Sequence, residues 1–539
     1  MLTNFLIEDK NVISENVVGE NANLVLNAVA FCEDVPETFD EIKDRDDKDE
    51  WMKAVREEMN ALKKTNTWDL VPCPQGRKPI KCKWVFTLKR GSDGNIERYK
   101  ARLVVKGCSQ RQGLDYTETY APVARMASLR TLLSIIYAKN MYARQLDVKN
   151  AFLNGVLKED IYMCVPEGLK AQGMVCKLKK TLYGLKQAPK EWNERFHEFI
   201  TRLNYSQCIT DKCLYVREVG STIDYVLLYV DDIIVSSNER LSVESTVRIF
   251  SKEFEMRDLG DLNYFLGIKI ERKSEGMFLS QTKYVEKLIK KFKLNDANPR
   301  DTPLATGVFC DVQSEPVQHN RYRELIGGLM YACVATRPDI AAAISFFSQY
   351  QSKPTKALWT GLKRVLCYLK GTKNYGLLFK GLTETSVLGY VDADFANHKD
   401  RKSVSGYVFK VFGDTVVWAS RKQRTVALST TEAEFLALAS ATAEMLWLCQ
   451  LLVELRIQIP SPIVIFEDNQ GCINSLTKWD QKRLKHVDVK WNFVRDLVIK
   501  KILYVQYLPT DCQLADIFTK GLPYAKFANF RTELGLSEI

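Results

Sequence analysis

The sequence is poor in histidine and has no paired cysteine motif. Four histidines are spread over 539 residues, and none of the 14 cysteines forms a C-x-x-C pair. The nearest two, Cys208 and Cys213, have no histidine spaced to complete a zinc set, so no zinc site is expected. Scattered thiols of this kind read as reduced, mostly buried side chains in a reducing compartment. Long uncharged apolar runs are missing too. No stretch approaches the roughly 18 residues that a membrane span needs, so no membrane partner is expected. The opening LTNFLIEDKNV carries Glu8 and Asp9 and lacks the basic start and small-residue cleavage site of a secretory signal. An intracellular protein is the expectation.

What is present is a large, mixed chain. Its length suits roughly three or four domains, and hydrophobic residues at 46% supply their cores. The net charge of +11 is unevenly spread: residues 1–50 hold 14 acids and 4 bases, so the remainder carries +21. A long basic body suits a polyanionic partner, although plain solubility would account for the same number. Residues 1–45 lack periodicity. From Glu50 the segment WMKAVREEMNALKK spaces Trp51, Val55, Met59 and Leu62 as a helix. IKCKWVFTLKR and RYKARLVVKG alternate as strands about a GSDGN turn, with outward positions that are almost purely basic. Residues from about 283 to 375 read as mainly helical, and strands return from about 385.

Two adjacent carboxylates, Asp231 and Asp232, interrupt the apolar run DYVLLYVDDIIVSS. In a tight hairpin both fall at the tip. Two ionised, partly desolvated neighbours cost several kcal/mol unless positive charge sits beside them, and the hairpin holds no lysine or arginine. A divalent cation would resolve the repulsion, and magnesium prefers hard oxygen ligands. An isolated pair would read as a solvent-facing turn. This pair is not isolated, because QLDVKNAFLNG ends another apolar strand in Asp147. Three carboxylates at strand ends are enough to hold two metal ions about 3.5–4 Å apart, clamping both oxygens of a phosphoryl transfer. Phe152, five residues after Asp147, is placed to lie against a sugar, with ordinary core packing as the alternative.

Taken in order, K-W-V-F, RYKARLVVKG, YAPVARMASLR, QLDVKNAFLNG, TLYGLKQAPKEW, YVDD and FLGI resemble the reverse transcriptase of copia-type LTR retrotransposons over about residues 50–300. The resemblance implies an α+β and α/β multidomain chain: a right-hand polymerase with fingers, palm and thumb, followed by a ribonuclease H-like domain. The expected division is an acidic flexible leader over 1–45, fingers and palm over 46–282, thumb and helical connection over 283–383, and the nuclease over 384–539. By motif, Asp147, Asp231 and Asp232 would hold two magnesium ions, with manganese as a substitute. Phe152 would be the steric gate against a 2′-hydroxyl. Lys100 and Arg102 are candidates for the incoming triphosphate, with the choice between them open. Tyr183 and Gly184 fall in the templating-pocket motif, and Gln187 reads as structural.

The C-terminal third holds a second acidic set. GYVDADFA puts Asp392 and Asp394 on one face of a strand, STTEAEFLAL opens a helix with Ser429, Glu432 and Glu434, FEDNQ ends a strand in Asp468, and QLADIFTK carries Asp516. This order again resembles the copia-type element, here its ribonuclease H, and implies two-metal hydrolysis of RNA in an RNA–DNA hybrid by Asp392, Glu434, Asp468 and Asp516. Glu432 rivals Glu434 but fits the capping box better. The loop YLPTDCQLAD lacks the histidine that many such nucleases carry, and His486 reads as structural.

The implied partners are an RNA template, a DNA primer, deoxynucleoside triphosphates and the hybrid product. An integrase or other polyprotein parts would accompany them, in a cytoplasmic virus-like particle with access to the nucleus. No capsid zinc knuckle, protease D-[ST]-G or integrase zinc motif occurs, so the chain is expected to be the C-terminal part of a polyprotein or a truncated copy. The competing reading is an inactive remnant that only binds nucleic acid.

Overall fold

A computed structural model describes residues 34–90, 96–171, 173–307, 314–381, 387–397, 400–477 and 488–538. The GSDGN turn and His486 lie outside them. Helix α1 (Lys48–Lys64) buries Trp51, Val55 and Leu62 against the antiparallel ribbon β2 (Cys82–Arg90) and β3 (Ile96–Val105). Trp51 meets Tyr99 edge-on at 4.7 Å and Phe86 at 5.4 Å. Residues 34–45, read from sequence as the end of the flexible leader, pack onto this unit: Ile42 is buried and Phe39 stacks on Trp84 at 6.3 Å. A three-stranded sheet, β1 (Trp68–Pro72), β6 (Met174–Lys180) and β5 (Val156–Cys164), completes the fingers.

The palm is a six-stranded sheet in the order β11, β4, β10, β9, β8, β7. Its strands are β4 (Tyr142–Val148), β7 (Ser206–Gln207), β8 (Leu214–Val219), β9 (Thr222–Tyr229), β10 (Asp232–Ser237) and β11 (Met256–Asp261). Helices cover both faces, which is why β9 and β10 read as near-continuous apolar runs instead of alternating. Leu146, Val226, Leu228, Ile233 and Val235 pack under α3 (Ala188–Arg202) and α4 (Arg240–Glu253). Leu227, Tyr229 and Ile234 face α2 (Met126–Ala138).

Short strands β12 (Tyr264–Phe265), β13 (Ile268–Arg272) and β14 (Met277–Ser280) lead into α5 (Thr282–Lys291), α6 (His319–Ala335), α7 (Ala341–Ser348) and α8 (Lys356–Gly371). Within these helices Arg337 and Asp339 form a fully buried ion pair at 2.7 Å, which the Tyr368 hydroxyl joins at 2.5 Å. After β15 (Tyr375–Phe379) comes a five-stranded sheet in the order β18, β17, β16, β19, β20. Its first three strands, β16 (Val387–Asp394), β17 (Val404–Val411) and β18 (Asp414–Lys422), are antiparallel; β19 (Ile463–Glu467) and β20 (Leu503–Tyr507) add in parallel. Around it lie α9 (Thr430–Glu454), α10 (Gln470–Thr477), α11 (Asp488–Ile499) and α12 (Tyr524–Glu533). The last strand, β21 (Leu536–Glu538), leaves this unit and pairs with β15. Among the described residues only α9 is long and apolar enough to cross a membrane, and most of it is buried as the core helix of this sheet.

The nuclease-like unit is not hung on a tether. One apolar core runs from α2 and the palm sheet into β16–β18 and α9. Polar contacts stitch the same seam. The buried Arg130 guanidinium lies 3.7 Å from the centroid of the Trp418 ring and donates to the Val416 carbonyl at 2.8 Å. Tyr225 donates to the Leu455 carbonyl at 2.6 Å. Asp414 accepts from Ser134 Oγ and from Lys380 N, both at 2.7 Å. Burial pushes the Asp414 carboxyl up to about 6 against these hydrogen bonds. An acid raised on folding stabilises the fold fully below its unfolded value and loses that contribution as pH rises through about 6. Asp414→Asn, neutral throughout, should therefore melt above the wild type at pH 8 by the equivalent of roughly 1–3 kcal/mol and lose that margin below about pH 4. Thermal melts across pH check this, and a margin independent of pH would refute it.

Candidate active sites

The turn between β9 and β10 contains only Val230 and Asp231, because Asp232 already faces Tyr229 in the ladder. The sequence had both aspartates at the tip; one belongs to the strand. Val230 takes φ +56°, a left-handed conformation that a β-branched residue rarely adopts. The Trp192 indole N–H donates to its carbonyl at 2.6 Å, and Val148 N donates to the Asp231 carbonyl at 2.8 Å. β4 lies antiparallel to β10 in a register that sets Asp147 directly opposite Asp232. Residues so opposed share a sheet face with Cβ atoms about 4.5–5.5 Å apart. Sheet pairing therefore brings together acids 85 positions apart in the chain.

The fingers close over this corner. Lys100 and Arg102 alternate on β3 with buried Ala101 and Leu103, so both lie on the face away from the fingers core. The Arg102 guanidinium lies over the Tyr183 ring at 4.8 Å, and Tyr183 meets Phe152 edge-on at 4.8 Å. Burial raises the Asp231 pKa, Arg102 and Lys100 pull against it, and Asp147 adds to it. Gly184, with φ +92°, brings the backbone against β3: a Cβ there would strike the Val105 carbonyl, while Val105 N donates to the Tyr183 carbonyl at 2.8 Å. Gln187 is buried, accepting from Gln110 Nε2 and donating to the Asp115 carbonyl, both at 2.9 Å.

In the C-terminal unit, Asp392 on β16, Glu434 in the second turn of α9 and Asp468 after β19 each offer an oxygen, all within 4.8 Å of one another. Asp516, in the 3-10 turn Leu514–Phe518, joins this trio through Lys520, whose Nζ lies 2.7 Å from Asp516 Oδ1 and 3.6 Å from Asp392 Oδ2. The Thr519 hydroxyl donates to Asp392, and Lys526 pairs with Asp516 Oδ2 at 2.7 Å. Glu432 instead accepts from Leu428 N at 2.9 Å, while its own N–H donates to Ser429 Oγ at 3.2 Å, the cap that its spacing suggests. Asp394 accepts from Asn397 Nδ2 at 2.6 Å.

Burial raises Glu434 and Asp392 well above the carboxylate range, with neighbouring acids adding to the shift. Glu434 Oε2 accepts no hydrogen bond among the described residues. Three clustered carboxylates, one with an orphaned buried oxygen, make a donor set that a hard divalent cation such as magnesium or manganese completes. Two residues of this corner escaped sequence reading. Glu467 is fully buried behind the trio, and its position on the alternating face Ile463, Ile465, Glu467 was the available signal. Lys520 stands four residues after Asp516, one turn on, a spacing that could have been noted.

A family profile described as reverse transcriptase (RNA-dependent DNA polymerase) matches residues 65–306. The chain is 40% identical over 517 residues to the retrovirus-related Pol polyprotein from transposon TNT 1-94 of Nicotiana tabacum, covering 93% of this chain and 39% of that protein. It is 39% identical over 504 residues to the corresponding polyprotein from transposon RE1 of Arabidopsis thaliana, covering 91% of this chain and 34% of that one. This sequence thus spans well under half the length of these relatives. Among solved structures, native prototype foamy virus protease–reverse transcriptase aligns over 90% of this chain and 77% of its own at 13% identity, with a TM-score of 0.27, too loose for residue correspondences. Residues 65–306 thus belong to the reverse transcriptase family, and nearly the whole chain is similar to copia-type retrotransposon Pol polyproteins.

Proposed function

We propose that this chain copies retrotransposon RNA into DNA and degrades the RNA of the resulting hybrid, with one acidic centre for each reaction. The observation that carries the reading is the opposition of Asp147 to Asp232 across β4 and β10, with Asp231 beside them in a strained, indole-held turn. Divalent ions bound by these carboxylates would lower the pKa of the primer 3′-hydroxyl and neutralise charge on the leaving oxygen. The protein's part is positioning. Lys100 and Arg102 meet the triphosphate of the incoming deoxynucleotide, and Tyr183 holds the Arg102 plane in place. Phe152, braced edge-on by Tyr183, takes the sugar and leaves no room for a 2′-hydroxyl. In the second centre Asp392, Glu434 and Asp468 bind the ions, with Asp516 joining through Lys520. Magnesium serves both centres and manganese can replace it. RNA template, DNA primer and hybrid run along the basic surface.

Two point variants separate the centres. Asp231→Asn should cut primer extension on an RNA template at least about a hundredfold and leave hybrid cleavage intact. Glu434→Gln should do the reverse. Both are read on the full chain with magnesium, and loss of both activities in either variant would refute two independent centres. A wild type that extends no primer but still retards a hybrid on a gel would be a binding remnant instead.

Phe152→Ala tests the sugar contact. Discrimination against ribonucleotides should fall by about 10–200-fold, the range for one pocket contact, with deoxynucleotide incorporation falling less. Single-nucleotide incorporation with paired dNTP and rNTP substrates measures it; an unchanged ratio would make Phe152 a packing residue.

A further inference from the structure

Lys520 is the least expected group in the second centre. Its ammonium sits where a cation is wanted, 2.7 Å from Asp516 Oδ1 and 3.6 Å from Asp392 Oδ2. Asp392, Glu434 and Asp468 each offer an oxygen within 4.8 Å of one another. Asp392 is therefore shared, belonging both to this trio and to the pair that Lys520 bridges.

A divalent ion drawn to Asp392 and Asp516 and the Lys520 ammonium compete for the same two carboxylates, and an ammonium kept between them would stand at contact distance from that ion. Like charges that close, with the pair mostly buried, repel strongly because little water screens them. Lys526 is differently placed: it contacts Asp516 Oδ2 and is anchored by the Thr510 carbonyl at 3.0 Å, outside the Asp392–Asp516 gap. Lys520 has somewhere to go. Its side chain is about one-third exposed, and it lines a cleft with Asp394, Asn397, Ser345 and Gln349. Asp394 lines the same cleft, so a swing into it exchanges two carboxylates for a third.

We propose that Lys520 is a built-in counter-cation occupying the second ion position of this cage, and that divalent binding at Asp392 and Asp516 proceeds by displacing it toward Asp394. The inference rests on the nuclease reading of the cage. It makes Lys520 a positioning residue and the two ion positions unequal: the trio fills first, the Lys520 position fills late.

The test is a manganese titration of the full chain carrying Asp147→Asn, Asp231→Asn and Asp232→Asn, which remove the three polymerase carboxylates, with bound ions counted by the EPR signal of free Mn2+. Two classes should appear, the second weaker by tenfold or more. Lys520→Met should tighten the second class about tenfold and leave the first alone. Lys520→Arg, retaining the charge, should keep the second class weak. In parallel, the magnesium concentration for half-maximal hybrid cleavage by the otherwise wild-type chain should fall in Lys520→Met. A second class unchanged or weakened by Lys520→Met would overturn the proposal, since the lysine would then brace the carboxylates instead of competing for them. Two manganese classes responding as expected, in a chain that cleaves no hybrid, would leave the displacement standing and defeat the nuclease reading.

Discussion

Carboxylates crowded into a partly dry interior repel one another, and this constraint organises both halves of the molecule. Sheet geometry creates the crowding in each case. In the palm, one antiparallel register sets Asp147 across from Asp232. In the C-terminal unit, parallel pairing of β16 with β19 carries Asp392 and Asp468 to neighbouring strand ends, and α9 supplies Glu434 from above. A one-residue slip in either register would turn an acid to the opposite face. The apolar layers on both faces of the palm sheet forbid that slip, because it would expose Leu228 and Ile233 to the wrong neighbours. Core packing and the placing of charge are thus one specification.

The two centres answer the repulsion differently. In the palm the opposing charge comes from another subdomain: Arg102 and Lys100 on the fingers ribbon offset the burial of Asp231. Their reach depends on the close approach of β3 to the loop at Gly184, where no side chain fits. In the C-terminal centre the opposing charge is local, one helical turn from Asp516. A charge borrowed from the fingers moves with the fingers; a charge one turn away does not. The first centre is therefore sensitive to fingers position, the second to the rotamer of one lysine.

The sequence carried much of this because acids that interrupt apolar runs are conspicuous. Asp147, Asp231 and Asp232 stood out against QL-V and YVLLYV, and cap spacing favoured Glu432 as the capping residue while leaving it a rival of Glu434. Three things were hidden. The left-handed Val230 has no sequence signature, since turn rules favour glycine or asparagine there; its support comes from Trp192 across the fold. Glu467 sat beside the more obvious Asp468, and only the strand's alternation marks it as inward. The seam between palm and nuclease was invisible because Arg130, Ser134 and Asp414 meet partners about 200–290 positions away. Local patterns specify elements; such distances specify only a fold already made.

That seam changes what the C-terminal unit is. A tethered nuclease would have its own closed core, yet here α2 of the palm is buried along its length between the palm sheet and β18. The last strand, β21, leaves the nuclease sheet altogether to pair with β15. Cutting the chain near residue 384 would strip one wall from α2, and the buried Arg130 would lose its Val416 carbonyl and the Trp418 ring beneath it. It would also take β21 off the edge of a sheet that begins in the region after the palm. The guanidinium would keep the Val334 and Ala335 carbonyls but lose the acceptor of its Nε–H, and an unpaired buried donor costs more than a lost surface contact. The palm and the C-terminal unit therefore share a core as well as a chain, and each stabilises the other's fold.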